Sequence, residues 1–193
     1  MMLADPDDAT VTAKSLYRIK RAGKDMEALI EAFLILARES DLGLPSERFC
    51  VNRVVAEEIE RVTDLLSGRP VSVRFIELQQ IQTNGPARVF SVMLSNLLRN
   101  AAQYTDAGEI VVTIDAHSVQ VDDTGKGMSQ EDTARAFELY YRGQQSGRGG
   151  HGVGLTIVKR LSDRFGWPVH IDSELGSGTC ARIDLPKATL VES

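Results

Sequence analysis

Cysteine is scarce. Cys50 and Cys180 are the only two in 193 residues, and they form neither a Cys-x-x-Cys pair nor a metal pattern with the three histidines. That excludes a disulfide scaffold and a zinc module. One bridge between the two stays open, with a reducing compartment as the easier expectation. Long apolar runs are missing too. The longest is the six residues 32–37, Ala-Phe-Leu-Ile-Leu-Ala, where a membrane span needs about 20. The first eight residues are acidic and lack the positive flank of a signal peptide. A soluble, cytoplasmic chain is expected. A basic excess is also lacking: 22 Lys and Arg stand against 27 Asp and Glu, a net charge of −5. No domain-wide footprint for nucleic acid exists, although a few local groups can still hold an anion. With 42% apolar and 25% charged residues, the chain is neither disordered nor fibrous, and its length fits one domain with an appendage.

The apolar residues that are present fall into periodic segments. Leu16, Ile19, Met26, Leu29, Ile30, Phe33 and Ala37 recur at helical spacing, which predicts a helix over 13–39 ended by Asp41-Leu42-Gly43-Leu44-Pro45. Residues 1–12 are too short and polar to cover that stripe, so the helix reads as one arm of a hairpin whose other arm precedes residue 1. Packing on the chain's own domain is the alternative. Further on, Phe49-Cys50-Val51 reads as a short strand, 54–66 as a helix, and 70–76 as a strand. Asn84-Gly85-Pro86 opens a helix running to Tyr104. Strands are expected at 110–115 and 118–122. Ser129-Gln-Glu-Asp132 is a capping box for a short helix. A helix over 153–165 and strands at 169–174 and 180–185 complete the chain. Helices mixed with hairpins predict an α+β class with a mixed sheet.

Three stretches can carry chemistry. On the helix ending at Tyr104, Phe90, Met93, Leu94, Leu97 and Ala101 form the core stripe, while Asn96, Asn100, Gln103 and Tyr104 share another face. Two carboxamides one turn apart can offer hard oxygens to Mg²⁺; a solvated polar face fits the same pattern. In Val121-Asp122-Asp123-Thr124-Gly125-Lys126-Gly127-Met128, a strand ends in a carboxylate and turns through two glycines. An acceptor-only carboxylate there suits the exocyclic amine of adenine and not the carbonyl of guanine; an ordinary Asp-Gly turn is the plain alternative. Gly147-Arg148-Gly149-Gly150-His151-Gly152-Val153-Gly154-Leu155 runs into a helix. Exposed backbone N–H groups at such a start suit phosphate, yet the spacing is neither a P-loop nor a dinucleotide fingerprint.

The order of these stretches is more specific than any one of them. Followed through Phe137-Glu-Leu-Tyr-Tyr-Arg-Gly143 and Gly176-Ser-Gly-Thr179, the chain resembles the ATP-binding domain of sensor histidine kinases, a Bergerat fold shared with gyrase and MutL. The resemblance runs from about Phe49 to Pro186. It implies a two-layer α/β sandwich at 46–188 with helices on one face of a mixed sheet. It also implies a second dimerisation-hairpin helix within 1–45 and a tail at 189–193. Asn100 would hold Mg²⁺, with Asn96 assisting. Asp123 would read adenine, Gly125 and Gly127 would let the chain pass the base, and Tyr104 would cover it. Tyr141, Arg142 and Arg148 would sit in or beside a mobile lid, the arginines and Asn96 available to position phosphate. Gly150, Gly152, Gly154 and Leu155 would open the phosphate-binding helix, and Thr179 would support Asp123 through water.

Three features qualify these expectations. Gln103 stands where the family often has Lys, removing one phosphate cation. Asn96 stands where ATP-hydrolysing relatives carry Glu, and a carboxamide cannot act as a general base. That fits a kinase and opposes a gyrase-like motor. The family's phosphoacceptor is a His on the first hairpin helix. His117, His151 and His170 fall at a strand turn, in the glycine stretch and in a late strand, so this chain alone is not expected to autophosphorylate. The resemblance implies a membrane-anchored, dimeric parent at the inner membrane, with this part cytoplasmic and a response-regulator receiver domain as partner. A non-catalytic nucleotide-sensing scaffold and another ATPase or kinase of the same fold are the alternatives.

Overall fold

The computed structural model describes residues 46–139, 141 and 153–191, together with Ser15, Gly23, Met26 and Ile30. Those four positions are helical, as the stripe over 13–39 predicts, and Met26 and Ile30 from that stripe are exposed. The remainder of residues 1–45 lies outside the described residues.

The core is a five-stranded mixed sheet. In chain order the strands of the fold are β1 (Glu47–Cys50), β2 (Val71–Glu77), β3 (Ile81–Gly85), β4 (Gly108–Ile114), β5 (Ser118–Asp123), β6 (Val169–Glu174), β7 (Gly178–Asp184) and β8 (Thr189–Leu190). The large sheet has the order β2-β4-β5-β7-β6. Only its β2–β4 pair is parallel; the other neighbours are antiparallel.

Strand alternation decides which face the helices cover. Ile110, Val112 and Ile114 of β4, Val119 and Val121 of β5, and Ala181 and Ile183 of β7 are all buried. The opposite face carries polar groups such as Arg74 paired with Glu109, and Asp184 paired with both Arg182 and His170. One face is therefore a core and the other a solvated surface. The helices that cover the core face are α1 (Val51–Leu66), α2 (Ala87–Tyr104) and α4 (Gly154–Phe165), while α3 (Gln130–Ala134) is a short turn near β6. The α2 stripe is buried as its periodicity predicts: Phe90, Met93, Leu94, Leu97 and Ala101 are each under 4% exposed. The expected α+β class and two-layer arrangement are what the chain adopts.

A second, three-stranded sheet of order β1-β3-β8 was not expected. Gln79-Gln80-Ile81-Gln82-Thr83-Asn84 has one apolar residue, so it does not announce a strand, and Asn84-Gly85-Pro86 reads as the opening of a helix. Yet Ile81, Thr83 and Gly85 face inward, and the strand pairs with β1 and β8. Thr189–Leu190, expected in a tail, pair with Gln82 and Ile81, and Val191 N–H donates to Gln80 O at 2.8 Å. Val51 belongs to α1, which begins three residues before the expected start. Its β-branched side chain favours a strand locally, but full burial against the core overrides that preference.

Asn52 ties this corner together. Its amide donates to Glu77 Oε2 and Gln79 O, both at 2.8 Å, and Ile81 N–H donates to its Oδ1 at 2.9 Å. The single tryptophan, Trp167, closes the gap between α2 and the small sheet, edge-on to Phe90 with ring centroids 6.0 Å apart. Ser129 caps α3 as its capping box predicts, accepting from Asp132 N–H at 3.1 Å. Cys50 and Cys180 are free thiols. No helix among the described residues is long and apolar enough to cross a membrane.

Candidate nucleotide site

Asp123 ends β5, a central strand of the large sheet, directly opposite Thr179 of β7. Its Oδ1 accepts the Gly125 N–H at 2.9 Å and the Thr105 hydroxyl at 3.4 Å. Burial pushes its carboxyl above the ordinary aspartate range, while hydrogen bonds from Gly125 N–H, the Thr105 hydroxyl and Thr179 N–H oppose that rise. A carboxylate offers about four lone-pair sites, so acceptor capacity is left for a further donor.

The loop after Asp123 is stitched to the β6–β7 turn. Gly176 N–H donates to Lys126 O at 2.7 Å, and Met128 N–H donates to Ser173 Oγ at 2.9 Å. Two glycines make this approach feasible. Gly127 has φ +62° and Gly178 has φ +117°, and a methyl group would collide with Glu174 O at the first and Asp123 O at the second. Tyr104, the last residue of α2, borders the same loop. Its carbonyl accepts Lys126 N–H at 3.1 Å, and its ring lies 4.9 Å from Lys126 Nζ.

The other end of the site is where α2 meets the start of α4. A methyl group on Gly154, the first residue of α4, would lie 3.1 Å from Asn96 Oδ1 and 3.8 Å from Asn100 Oδ1. Asn96 is 5% exposed, and its amide donates to Val92 O at 2.8 Å, which aims the oxygen towards α4. Arg99 donates to that oxygen at 3.4 Å. Folding thus brings two carboxamide oxygens, a guanidinium and a helix start, whose first N–H groups have no partner within the helix, into one corner. The donor set suits Mg²⁺, a hard cation that takes few protein oxygens and completes its shell with water and phosphate. Among the described residues no cluster of three His, Cys, Asp or Glu offers a self-sufficient metal site.

The remaining expected residues divide in two. Gln103 and Leu155 are half-buried, Gln103 on the Asn96 face of α2 and Leu155 second in α4. The Tyr141 hydroxyl donates to Asp132 Oδ1 at 2.7 Å, and Arg135 stacks 4.1 Å from its ring centroid. Arg142, Arg148, Gly150, His151 and Gly152 lie outside the described residues. Thr105, Lys126 and Ser173 were not singled out from the sequence. Thr105 follows the asparagine helix directly and was within reach of that reading; Ser173 is visible only through its register with Thr179.

Residues 86–189, more than half of the chain, match the profile described as "Histidine kinase-, DNA gyrase B-, and HSP90-like ATPase". The chain belongs to this family. The matched region contains Asn96, Asn100, Asp123 and the start of α4. Among curated relatives, sensor histidine kinase RppB from Synechocystis sp. is 28% identical, matching 89% of this chain and 40% of its own length. Sensor protein SrrB from Staphylococcus aureus is also 28% identical, over 96% of this chain and 33% of its own length. The chain thus spans a third to two-fifths of these relatives. Among solved structures, full-length ShkA in complex with AMPPNP aligns at TM-score 0.66 and 26% identity, covering 100% of this chain and 41% of that one. The mycobacterial sensor histidine kinase MprB aligns at TM-score 0.66 and 24% identity, covering 75% of this chain and 100% of that one, which shows the shared fold.

Proposed function

We propose that this chain is the catalytic region of a two-component sensor histidine kinase. It transfers the ATP γ-phosphoryl to a histidine nitrogen on a hairpin helix, and the phosphoryl then passes to an aspartate of a response-regulator receiver domain. The observation that carries the reading is the pairing of two chemistries along α2, whose Asn96 and Asn100 meet the start of α4 and whose C-terminal Thr105 touches Asp123. The acceptor-only Asp123 carboxylate marks one end, and the corner of Asn96, Asn100 and the α4 N-terminus marks the other. An aminopurine triphosphate has the complementary order of groups: a donor at the base and anionic oxygens at the far end.

The residues act by binding and orientation. Asp123 takes a proton-bearing amine, and Tyr104 and Lys126 flank the base edge. Asn100, assisted by Asn96, would supply oxygens to Mg²⁺, and the ion would supply neutralisation of phosphate charge. A carboxamide at 96 leaves attacking water without a general base, so ATP persists until an acceptor arrives. Transfer breaks the bond between the γ-phosphorus and its bridging oxygen, forms a phosphorus–nitrogen bond, and releases ADP. Residues 1–45 belong, on this reading, to the second dimerisation-hairpin helix and 46–188 to the catalytic domain. The parent is a homodimer and this portion is cytoplasmic.

The test is calorimetric titration with ATP and GTP, with and without Mg²⁺, followed by labelled ATP and a histidine-bearing hairpin supplied in trans. ATP binding strengthened by Mg²⁺, absent for GTP, and acid-labile phosphate on the hairpin support the reading. ATP binding without any phosphate transfer favours a nucleotide-sensing scaffold and sinks the kinase assignment.

A further inference from the structure

Asp123, Thr179 and Ser173 stand side by side on three adjacent strands, because Asp123 pairs with Thr179 and Thr179 with Ser173. Directly opposed residues of antiparallel strands point to the same face. All three side chains therefore share the core face, at the end of the sheet where the base-reading carboxylate lies. The Ser173 hydroxyl makes three contacts there. It accepts Met128 N–H at 2.9 Å, donates to Gly178 O at 2.9 Å, and lies 2.8 Å from Thr179 Oγ1.

Proton counting settles the third contact. A serine hydroxyl has one proton and two acceptor lone pairs, and a carbonyl oxygen can only accept. The Ser173 proton is committed to Gly178 O, so Thr179 must supply the proton between the two hydroxyls. Thr179 has no second proton. Whatever else approaches its oxygen meets lone pairs.

We infer that Ser173 is a specificity-determining positioning residue that holds the Thr179 hydroxyl as an acceptor beside Asp123. The inference rests on the nucleotide-binding reading above and adds a residue to it. The base edge then carries two neighbouring acceptors. An exocyclic amine satisfies such a pair, whereas the 6-oxo oxygen of a hypoxanthine or guanine base faces lone pairs. Without Ser173, the Thr179 hydroxyl is free to rotate and donate to that oxygen. Preference for an amine over a carbonyl at purine position 6 is thus shared between Asp123 and a hydroxyl whose polarity is set one strand away.

The experiment compares the whole chain with Ser173→Ala and Ser173→Thr by calorimetric titration with ATP and ITP in Mg²⁺, with thermal unfolding of each protein alongside. Ser173→Ala is expected to lose about tenfold in ATP affinity, the cost of one misdirected hydrogen bond, with ITP affinity unchanged or improved. The ATP-to-ITP ratio then falls about tenfold or more, and Ser173→Thr, which keeps a hydroxyl, restores it. A folded Ser173→Ala with an unchanged ratio overturns the inference, whether both affinities hold or both fall together as a purely structural role predicts. If Ser173→Ala does not fold, Thr179→Val removes the same acceptor, and a ratio unaltered there overturns it equally. A parent that binds neither nucleotide brings down the nucleotide reading itself. A parent that prefers ATP while the ratio survives substitution brings down only this inference.

Discussion

On the proposed function, replacing Asp123 by Asn should separate reading the base from holding the fold. The Asp123 carboxylate accepts Gly125 N–H at 2.9 Å and the Thr105 hydroxyl at 3.4 Å, both on Oδ1. An asparagine Oδ1 can keep both contacts, which turns its Nδ2 donor towards the place where the base amine would donate. A charge-assisted hydrogen bond lost is worth about 1.5–3 kcal/mol, and opposing two donors without a partner costs about 1–3 more. The sum of about 2.5–6 kcal/mol predicts an ATP affinity lower by roughly 10² to 10⁴. The fold has no comparable reason to weaken, because the loop contacts survive and a buried charge is removed. Calorimetric titration with ATP, paired with thermal unfolding, reads both quantities. An Asp123→Asn protein that unfolds at the parent's temperature and still binds ATP within about threefold, under 1 kcal/mol, would refute the assignment of Asp123.

The same carboxylate predicts a pH dependence. Burial lifts its folded pKa above the unfolded value, so its contribution to stability is present at low pH and lost as pH rises through the folded pKa. As pH rises above about 4, the ordinary aspartate value, the parent should therefore lose stability relative to Asp123→Asn; a constant difference across a series of chemical denaturations would contradict this. Gly178→Ala should cost about 3 kcal/mol, from a left-handed backbone plus collision with Asp123 O, whereas Gly176→Ala, with open space around it, should cost about 1. Equal urea midpoints for the two would show that the close approach at Gly178 does not matter. Asn52→Ala should cost about 2–4 kcal/mol by leaving Ile81 N–H buried without its acceptor. ATP affinity should change little, because Asn52 ties α1 to the β2–β3 turn and not to the loop after Asp123; a large fall in affinity would argue otherwise.

Legibility followed the range of the forces involved. The α2 helix was readable because one apolar stripe of Phe90, Met93, Leu94, Leu97 and Ala101 must face one core. Strands β4 and β5 were readable because alternation and β-branching are local signals. The β3 strand was not, since its glutamines and threonine are held by partners 30 and more residues away on β1 and 100 and more away on β8. Val51 went to a strand on local preference and to a helix on tertiary burial. In the site, Asp123, Asn96 and Asn100 stood out because their residue types and order carry the chemistry. Ser173 acts through atoms it touches, and nothing in its own neighbourhood in the chain points to those contacts.

By itself the sequence determined the inventory: an acceptor carboxylate at a strand end, paired asparagines on a helix face, and glycines where backbones must pass. Those are properties of residue types and short spacings, and they name the family. Only the tertiary structure decided what the inventory faces. It set Asn96 and Asn100 against the start of α4 and laid Asp123, Thr179 and Ser173 in one row across three strands. Register and helix packing arise from contacts distant along the chain, and the direction of a hydroxyl proton follows from the sum of its partners. No single segment contains that information.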